Sequence, residues 1–524
     1  MRPAREMNPS DYRRDFAAYH SALARERFNY HAGLATRLDT DPIEGRYADL
    51  WTREAVEDLS RALAETPAHF ETERAGLRAL VGAARLKHAE ARAAEVTDEL
   101  RRCEGAARVI WGGAQVAAED APEILAEEAD AARRQELSRR WFDALRPCDD
   151  LRSARLEALR EAANGLGLKG LRGLYESFTG VDLSKLAADA ELFLSRTERA
   201  YMTGLSQASA RERAAGRPSG SEFADGLFFA RASHLDSYFG AQSLVAVYAE
   251  TLAGLGVRRG SQPNLQLDAA PRASKRAWSA CFAVDPPADV RLVMGARAAG
   301  ASFFRQTFAE AGRAQMFAWA SREAASRHPE FVRAPDAATE EGHALLLAGL
   351  FRDASWLGEH RGVRATEAEE IARSFALVEL HDARRECAAL RHALELDEAA
   401  DPRSERLAEG YASGHTAATG FRHDPAARLL QAEGSAREAA RPYAAADLFS
   451  PATRLRARLF AAAFGEHLRA RHGRRWFSSR AAGDELIDVW NTASRHHVEE
   501  LARLAWGGEL SFELLAGALS ASEG

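Results

Sequence analysis

The sequence is poor in the features that mark several broad classes of protein. It has only four cysteines in 524 residues, Cys103, Cys148, Cys281 and Cys387, and no two of them form a CxxC pair. That spacing excludes a paired-thiolate zinc site and predicts buried free thiols of a reducing compartment, with no disulfide framework. No apolar run approaches the ~20 residues of a membrane-spanning helix. The best stretches, 244–257 and 344–351, are short or carry Glu250. The opening residues, MRPAREMNPSDYRRD, have charge but no apolar segment behind them, so no signal peptide is expected. Positive charge is not in excess: 70 Lys and Arg against 77 Asp and Glu give a net charge of −7. A general nucleic-acid binder needs a basic stripe to neutralise phosphates, and that balance argues against one. The expectation is a cytoplasmic protein with no membrane and no nucleic-acid partner.

Helix-forming residues dominate what remains. Hydrophobic residues at 46% and charged residues at 28% exclude wholesale disorder. The length suggests more than one core. Alanine, leucine, arginine and glutamate lose little rotamer freedom in helices, and apolar residues recur at three- and four-residue steps. Helices are predicted over 11–38, 50–67, 69–103, 121–145, 151–164, 182–215, 241–255, 301–326, 340–352, 366–396, 451–471 and 483–504. Gly216–Gly220 reads as a turn or linker, and 258–276 as a polar stretch without helical period. Two short apolar runs, Trp278–Val284 and Val290–Met294, flank Asp285-Pro-Pro-Ala-Asp289 and predict one β-hairpin. No fixed-period repeat supports a solenoid.

The order hairpin, glycines, then the helix Phe303-Phe-Arg-Gln-Thr-Phe-Ala-Glu-Ala-Gly-Arg-Ala-Gln-Met-Phe-Ala-Trp319 carries a resemblance. It resembles the active-site helix of the thimet oligopeptidase and oligoendopeptidase F family of zinc peptidases. That family has His-Glu-x-x-His on this helix. Here the corresponding positions are Ala309, Glu310, Ala311, Gly312 and Arg313. Pro263-Asn-Leu, the hairpin and the run Trp476 to Leu514 also resemble the family in order and spacing. The resemblance implies an all-α, elongated, multi-lobed, neurolysin-like scaffold with a deep central cleft and a small β-hairpin beside the active-site helix. It divides the chain into an N-terminal helical region, 1–180, and a peptidase-like region, 181–524, holding the degenerate helix 301–326.

Zinc in such a site takes two imidazoles one helical turn apart and a carboxylate from a second helix, while the intervening glutamate activates the bound water. Ala309 has no donor atom, and Arg313 offers only a permanent cation. Zinc is therefore expected to be absent and no residue is expected to be catalytically active. Glu310 matches the family's general base, and Glu341, in Thr339-Glu-Glu-Gly-His343, matches the third ligand. The tyrosine and histidine that steady the family's oxyanion should fall within 447–458, where Thr453 and Arg454 stand; Tyr443 lies upstream. Glu340, His343, Tyr443 and Arg454 are the cleft-lining candidates. Arg313 lies three residues after Glu310, within contact distance on a helix, and is predicted to pair with Glu341, Glu310 or both.

Other clusters have plainer readings. His496, His497, Glu499 and Glu500 cannot all face one metal on a helix and read as solvated or capping residues. His343 reads as a core or channel-lining histidine, and His360, His381 and His392 as surface or helix-side residues. Cys281 reads as a buried structural thiol in a strand. Gly410–Gly414 reads as a loop bordering the cleft, without the ending of a phosphate loop. The arginines at 454, 456, 458, 469, 471, 474 and 475 read as a solvated helix face. The function expected is a catalytically inactive peptidase homologue that binds peptides or a protein partner, an active relative among the possibilities. The remaining peptide site is expected at the hairpin edge, by strand addition. The alternative is an active peptidase or hydrolase using other residues or metal ligands.

Overall fold

The computed structural model describes residues 8–216, 220–297, 299–429 and 444–520. Helices dominate, as the residue composition dictates. The first part of the chain runs α1 (Pro9–His31), α2 (Asp41–Arg46), α3 (Arg53–Glu65), α4 (Glu71–Arg92), α5 (Ala94–Ala106), strands β1 (Arg108–Trp111) and β2 (Ala114–Ala117), α6 (Ala121–Glu127), α7 (Ala131–Leu145), α8 (Asp149–Gly165) and α9 (Gly170–Thr179). The long α10 (Leu183–Ala214), α11 (Phe223–Arg231) and α12 (Leu244–Gly254) lead to β3 (Leu265–Asp268), β4 (Ala280–Asp285) and β5 (Asp289–Val293). Then come α13 (Ala301–Trp319), α14 (Arg322–Arg327), α15 (Ala338–Ala348), α16 (Ala354–Arg361), α17 (Ala365–Glu398) and α18 (Glu405–Thr419). The chain closes with α19 (Ser450–His472), α20 (Arg480–Asn491), α21 (Val498–Trp506) and α22 (Phe512–Ser520). The result is an all-α, peptidase-like scaffold with two small sheets.

Where the chain departs from the periodicity, a local cause is visible. The predicted helix 301–326 stops at Trp319, and Ser321 caps a separate α14 by accepting from Ala324 N–H at 3.2 Å. The glycine-bearing stretch around Gly410 is helix, not loop: Leu407, Tyr411, His415 and Ala418 recur at helical spacing and are buried. The polar stretch 258–276 contains β3, which pairs in parallel with β5, so the predicted hairpin is the antiparallel part of a sheet ordered β3-β5-β4. The β1–β2 hairpin turns at Gly112 and Gly113, both at positive φ, where side chains are strained. Cys103 and Cys148 are joined in a disulfide with Cα atoms 5.9 Å apart, which corrects the reading of four free thiols. Nothing in their spacing announced the bond, because α5 and the turn leading into α8 meet only once packed. Cys281 and Cys387 are free.

One hydrophobic core runs through Phe16, Tyr19, Leu80, Phe193 and Tyr201 to Leu390 of α17 and Leu455 of α19, so helices from both sides of residue 180 share it. A second surrounds α13, with Phe304, Phe308, Trp356, Phe460 and Trp490. A smaller cluster joins Phe28 of α1 and Ala32 just after it to Ala280, Phe282 and Val284 of β4. Among the described residues, no helix is long and apolar enough to cross a membrane.

Candidate functional site

Helix α13 is held at both ends. At its start, Gly300 at φ +98° lets the chain turn in, and Asp236, paired with Arg231, accepts from Ala301 N–H at 2.8 Å. A carboxylate there also suits the positive end of the helix dipole. Near its end, the Gln315 amide is locked in the core by Gln262 and Tyr248, and Asn264 donates to Ala318 C=O at 2.8 Å. Helix α15 crosses it closely at Gly312, where a Cβ would lie 2.3 Å from His343 O. This contact sets the distance between the charged side chains of the two helices.

At that crossing Arg313 spans two carboxylates. One of its terminal nitrogens donates to Glu310 on α13 and the other to Glu341 on α15. The three side chains are only 13–17% exposed. Burial works against the guanidinium charge, but the carboxylates of Glu310, Glu341 and Glu340 outweigh it and hold the pKa well above its usual value. Glu340 thus joins the site through its charge. Beside them Ala309 presents a methyl group with no donor atom, and the cation bound to the Glu310 and Glu341 carboxylates belongs to the chain itself. Among the described residues no three His, Cys, Asp or Glu side chains converge in a way that could hold a metal.

The sheet supplies the third wall. Cys281, opposite Leu292 of β5, directs its N–H away from that strand to Glu310 Oε2 at 3.0 Å. Its thiol pKa is pushed well up by burial and by the Glu310 carboxylate, which disfavours the thiolate form. From α1, His31 meets Trp278 C=O at 2.7 Å; burial lowers its pKa, against the pull of that carbonyl and of Glu310.

The other predicted residues divide. His343 is buried against Phe460, Phe464 and Trp490 with both ring nitrogens lacking a hydrogen-bond partner, and desolvation lowers its pKa to about 3. It is a core residue. Arg454 faces Glu386, 3.2 Å away, which also holds Arg458 at 2.6 Å. Thr453 bonds to Tyr175 at 3.0 Å. Tyr443 lies outside the described residues. The solvated-face reading fails for Arg454, Arg456 and Arg458, because α19 is enclosed and its arginines meet acids from neighbouring segments. It holds for Arg469, Arg471, Arg474 and Arg475, which are exposed. His381 and His392 are buried, not surface residues, because α17 is covered by α10, α18 and α19.

Sequence reasoning missed one buried network. Asp336 accepts from both terminal nitrogens of Arg456, at 3.0 and 2.9 Å, and lies 2.7 Å from His497 Nδ1. Arg456 and His497 outweigh the burial of Asp336 and hold its carboxyl well below the usual range. His497 stands at the N-cap position of α21, but its ring turns to Asp336 and makes no capping hydrogen bond, while His496 pairs with Glu500 at 3.1 Å, so the solvated or capping reading misses both pairings. The link from His497 to Asp336 spans 161 residues and left no local signal.

No protein-family profile and no curated protein sequence matches the chain. Solved structures do. The chain is similar to a PZ peptidase A with an inhibitor, at TM-score 0.63 and 14% identity over 97% of this chain and 91% of that one. It is similar to metallocarboxypeptidase 1 of Trypanosoma cruzi, at TM-score 0.63 and 14% identity over 98% of each chain. An oligoendopeptidase F from Bacillus anthracis gives TM-score 0.60 and 13% identity over 97% of this chain and 89% of that one. The fold is therefore the peptidase fold these proteins share.

Proposed function

We propose that this chain is a peptidase scaffold that no longer performs metal-dependent hydrolysis and acts by binding a peptide or a protein partner, an active relative included. The single observation that carries the reading is the Arg313 guanidinium held between Glu310 and Glu341. A general-base glutamate needs a free carboxylate facing an acidified water. Here the carboxylate is engaged by Arg313 and by the Cys281 amide. The methyl group of Ala309 beside it, and Thr453 and Arg454 tied to Tyr175 and Glu386, agree with this reading.

A cytoplasmic home stays part of the same proposal, although structural disulfides are rare in reducing compartments and the Cys103–Cys148 bond weighs against it. The free-thiol argument is gone with the Cys103–Cys148 bond.

The test pairs metal analysis of the purified protein with hydrolysis of quenched fluorescent peptides. We expect substoichiometric zinc and no cleavage that a chelator removes. Stoichiometric zinc, or cleavage lost on Glu310→Gln, would overturn the reading.

A further inference from the structure

Helices α10, α11 and α17 meet around a cavity of about 160 Å³, and none of its lining residues belongs to the Arg313–Glu310–Glu341 group. That volume suits a single ring, since an apolar cavity of ~150 Å³ takes up benzene. The floor is apolar, formed by Leu205, Phe228, Phe229, Leu377 and Phe421. Phe228 and Phe229 are neighbours on α11 and both are only half-buried, which leaves aromatic surface uncovered. Neither ring is loose. Arg134 is buried and bonded through Nε and Nη2 to Asp225, at 2.8 and 2.6 Å, and its guanidinium lies 4.4 Å from the centre of the Phe228 ring. Phe229 packs edge-on to His381 at 5.4 Å and against Phe421 at 6.0 Å. Walls fixed before a ligand arrives lose little freedom on binding it.

The mouth of the cavity carries charge. Arg211 of α10 reaches from one nitrogen, Nη1, to Ser374 Oγ on α17 at 3.2 Å and to His234 Nε2 at 3.3 Å. An arginine only donates, so His234 accepts this bond and is uncharged. Arg211 is thus held in place by two neutral groups, and among the described residues its Nε and Nη2 have no partner. That edge of a guanidinium is the fork that grips a carboxylate through two parallel bonds. Arg373, one turn before Leu377, lines the same mouth, is exposed and has no ion pair among the described residues. Glu212 and Glu370 stand at the same rim and repel a second negative charge on a ligand.

We propose that this cavity binds a small monocarboxylate carrying one aromatic ring. The ring lies on Phe228 and Phe229, the carboxylate takes the Nε–Nη2 edge of Arg211, and Arg373 adds positive charge at the mouth. The volume excludes a long fatty chain, and the two rim glutamates disfavour a dicarboxylate. The site does not depend on the reading of Glu310 and Arg313, since the two groups share no residue.

The test is isothermal titration of the full chain with phenylacetate, with phenylacetamide as its uncharged isostere. The acid is expected to bind. Binding should be about tenfold or more weaker for the amide on the unaltered chain and for the acid on Arg211→Ala. Added salt should weaken the acid alone. Ala208→Trp, which puts an indole into the cavity from α10, should abolish binding of both compounds. No binding of the acid at millimolar concentration, equal affinity for acid and amide, or unchanged binding to either folded variant overturns the proposal. Arg211 is exposed, so its variant is expected to fold. If the tryptophan variant does not, the acid–amide comparison and the salt series on the unaltered chain decide.

Discussion

Gly312 lies against the main-chain carbonyl of His343, which a side-chain carbon at position 312 would approach to 2.3 Å. This contact, more than any charge, fixes α13 against α15 and brings Glu341 within reach of Arg313. Gly312→Ala should therefore force the helices apart and destabilise the protein by about 1–3 kcal/mol. Urea unfolding of the variant checks this, and an unchanged midpoint would show that the crossing is loose.

Removing the arginine between two half-enclosed carboxylates leaves them facing each other. Arg313→Met should cost about 3–5 kcal/mol, the range for stranding buried charge, less what residual solvent returns. Adding Glu310→Gln and Glu341→Gln should recover most of the loss, because the repulsion goes with the charges. A multiple-mutant cycle by denaturant titration gives the coupling.

Several histidines are buried in the neutral form. Desolvation lowers the pKa of His381 to about 4, His415 to about 3 and His423 to about 2, and His343 stands at about 3. In the unfolded chain each takes its proton near pH ~6.5. The unfolded state therefore binds more protons below that pH, and stability should fall steadily as pH drops from about 6.5 towards 4. Below about 4, protonation of Asp336 and Asp382, both held low by arginines in the fold, should add to the loss. Urea midpoints at stepped pH test this, and His415→Asn should flatten the slope.

The Cys103–Cys148 bond closes a loop of sequence separation 45. On the chain-entropy account such a cross-link contributes about 4 kcal/mol. Non-reducing mass analysis should find the bond in protein purified without reductant. Reductant, or the Cys103→Ser/Cys148→Ser pair, should lower the unfolding midpoint.

Much of the helical order was legible because it is local. The three- and four-residue spacing of Leu183, Leu186, Ala190 and Phe193 announces α10, and the Pro286-Pro287 turn announces the strands beside it. The Glu310–Arg313 contact follows from helical spacing alone. The features that escaped join distant positions: β3 to β5, Cys103 to Cys148, Arg333 to Ala283, Asp336 to His497. None leaves a periodic trace, since each is decided by which surfaces meet after the helices pack. Helix α18 was misread for another reason: Gly410 and Gly414 look like loop residues, but the apolar residues around them still repeat at helical spacing.

The first core has a consequence for how the molecule is made. Its members run from Tyr12 to Leu519. As the chain leaves the ribosome, the early helices have no complete interior to enter. Their oily faces must wait for almost the entire polypeptide, so this protein should need sheltering by chaperones until its last segments arrive.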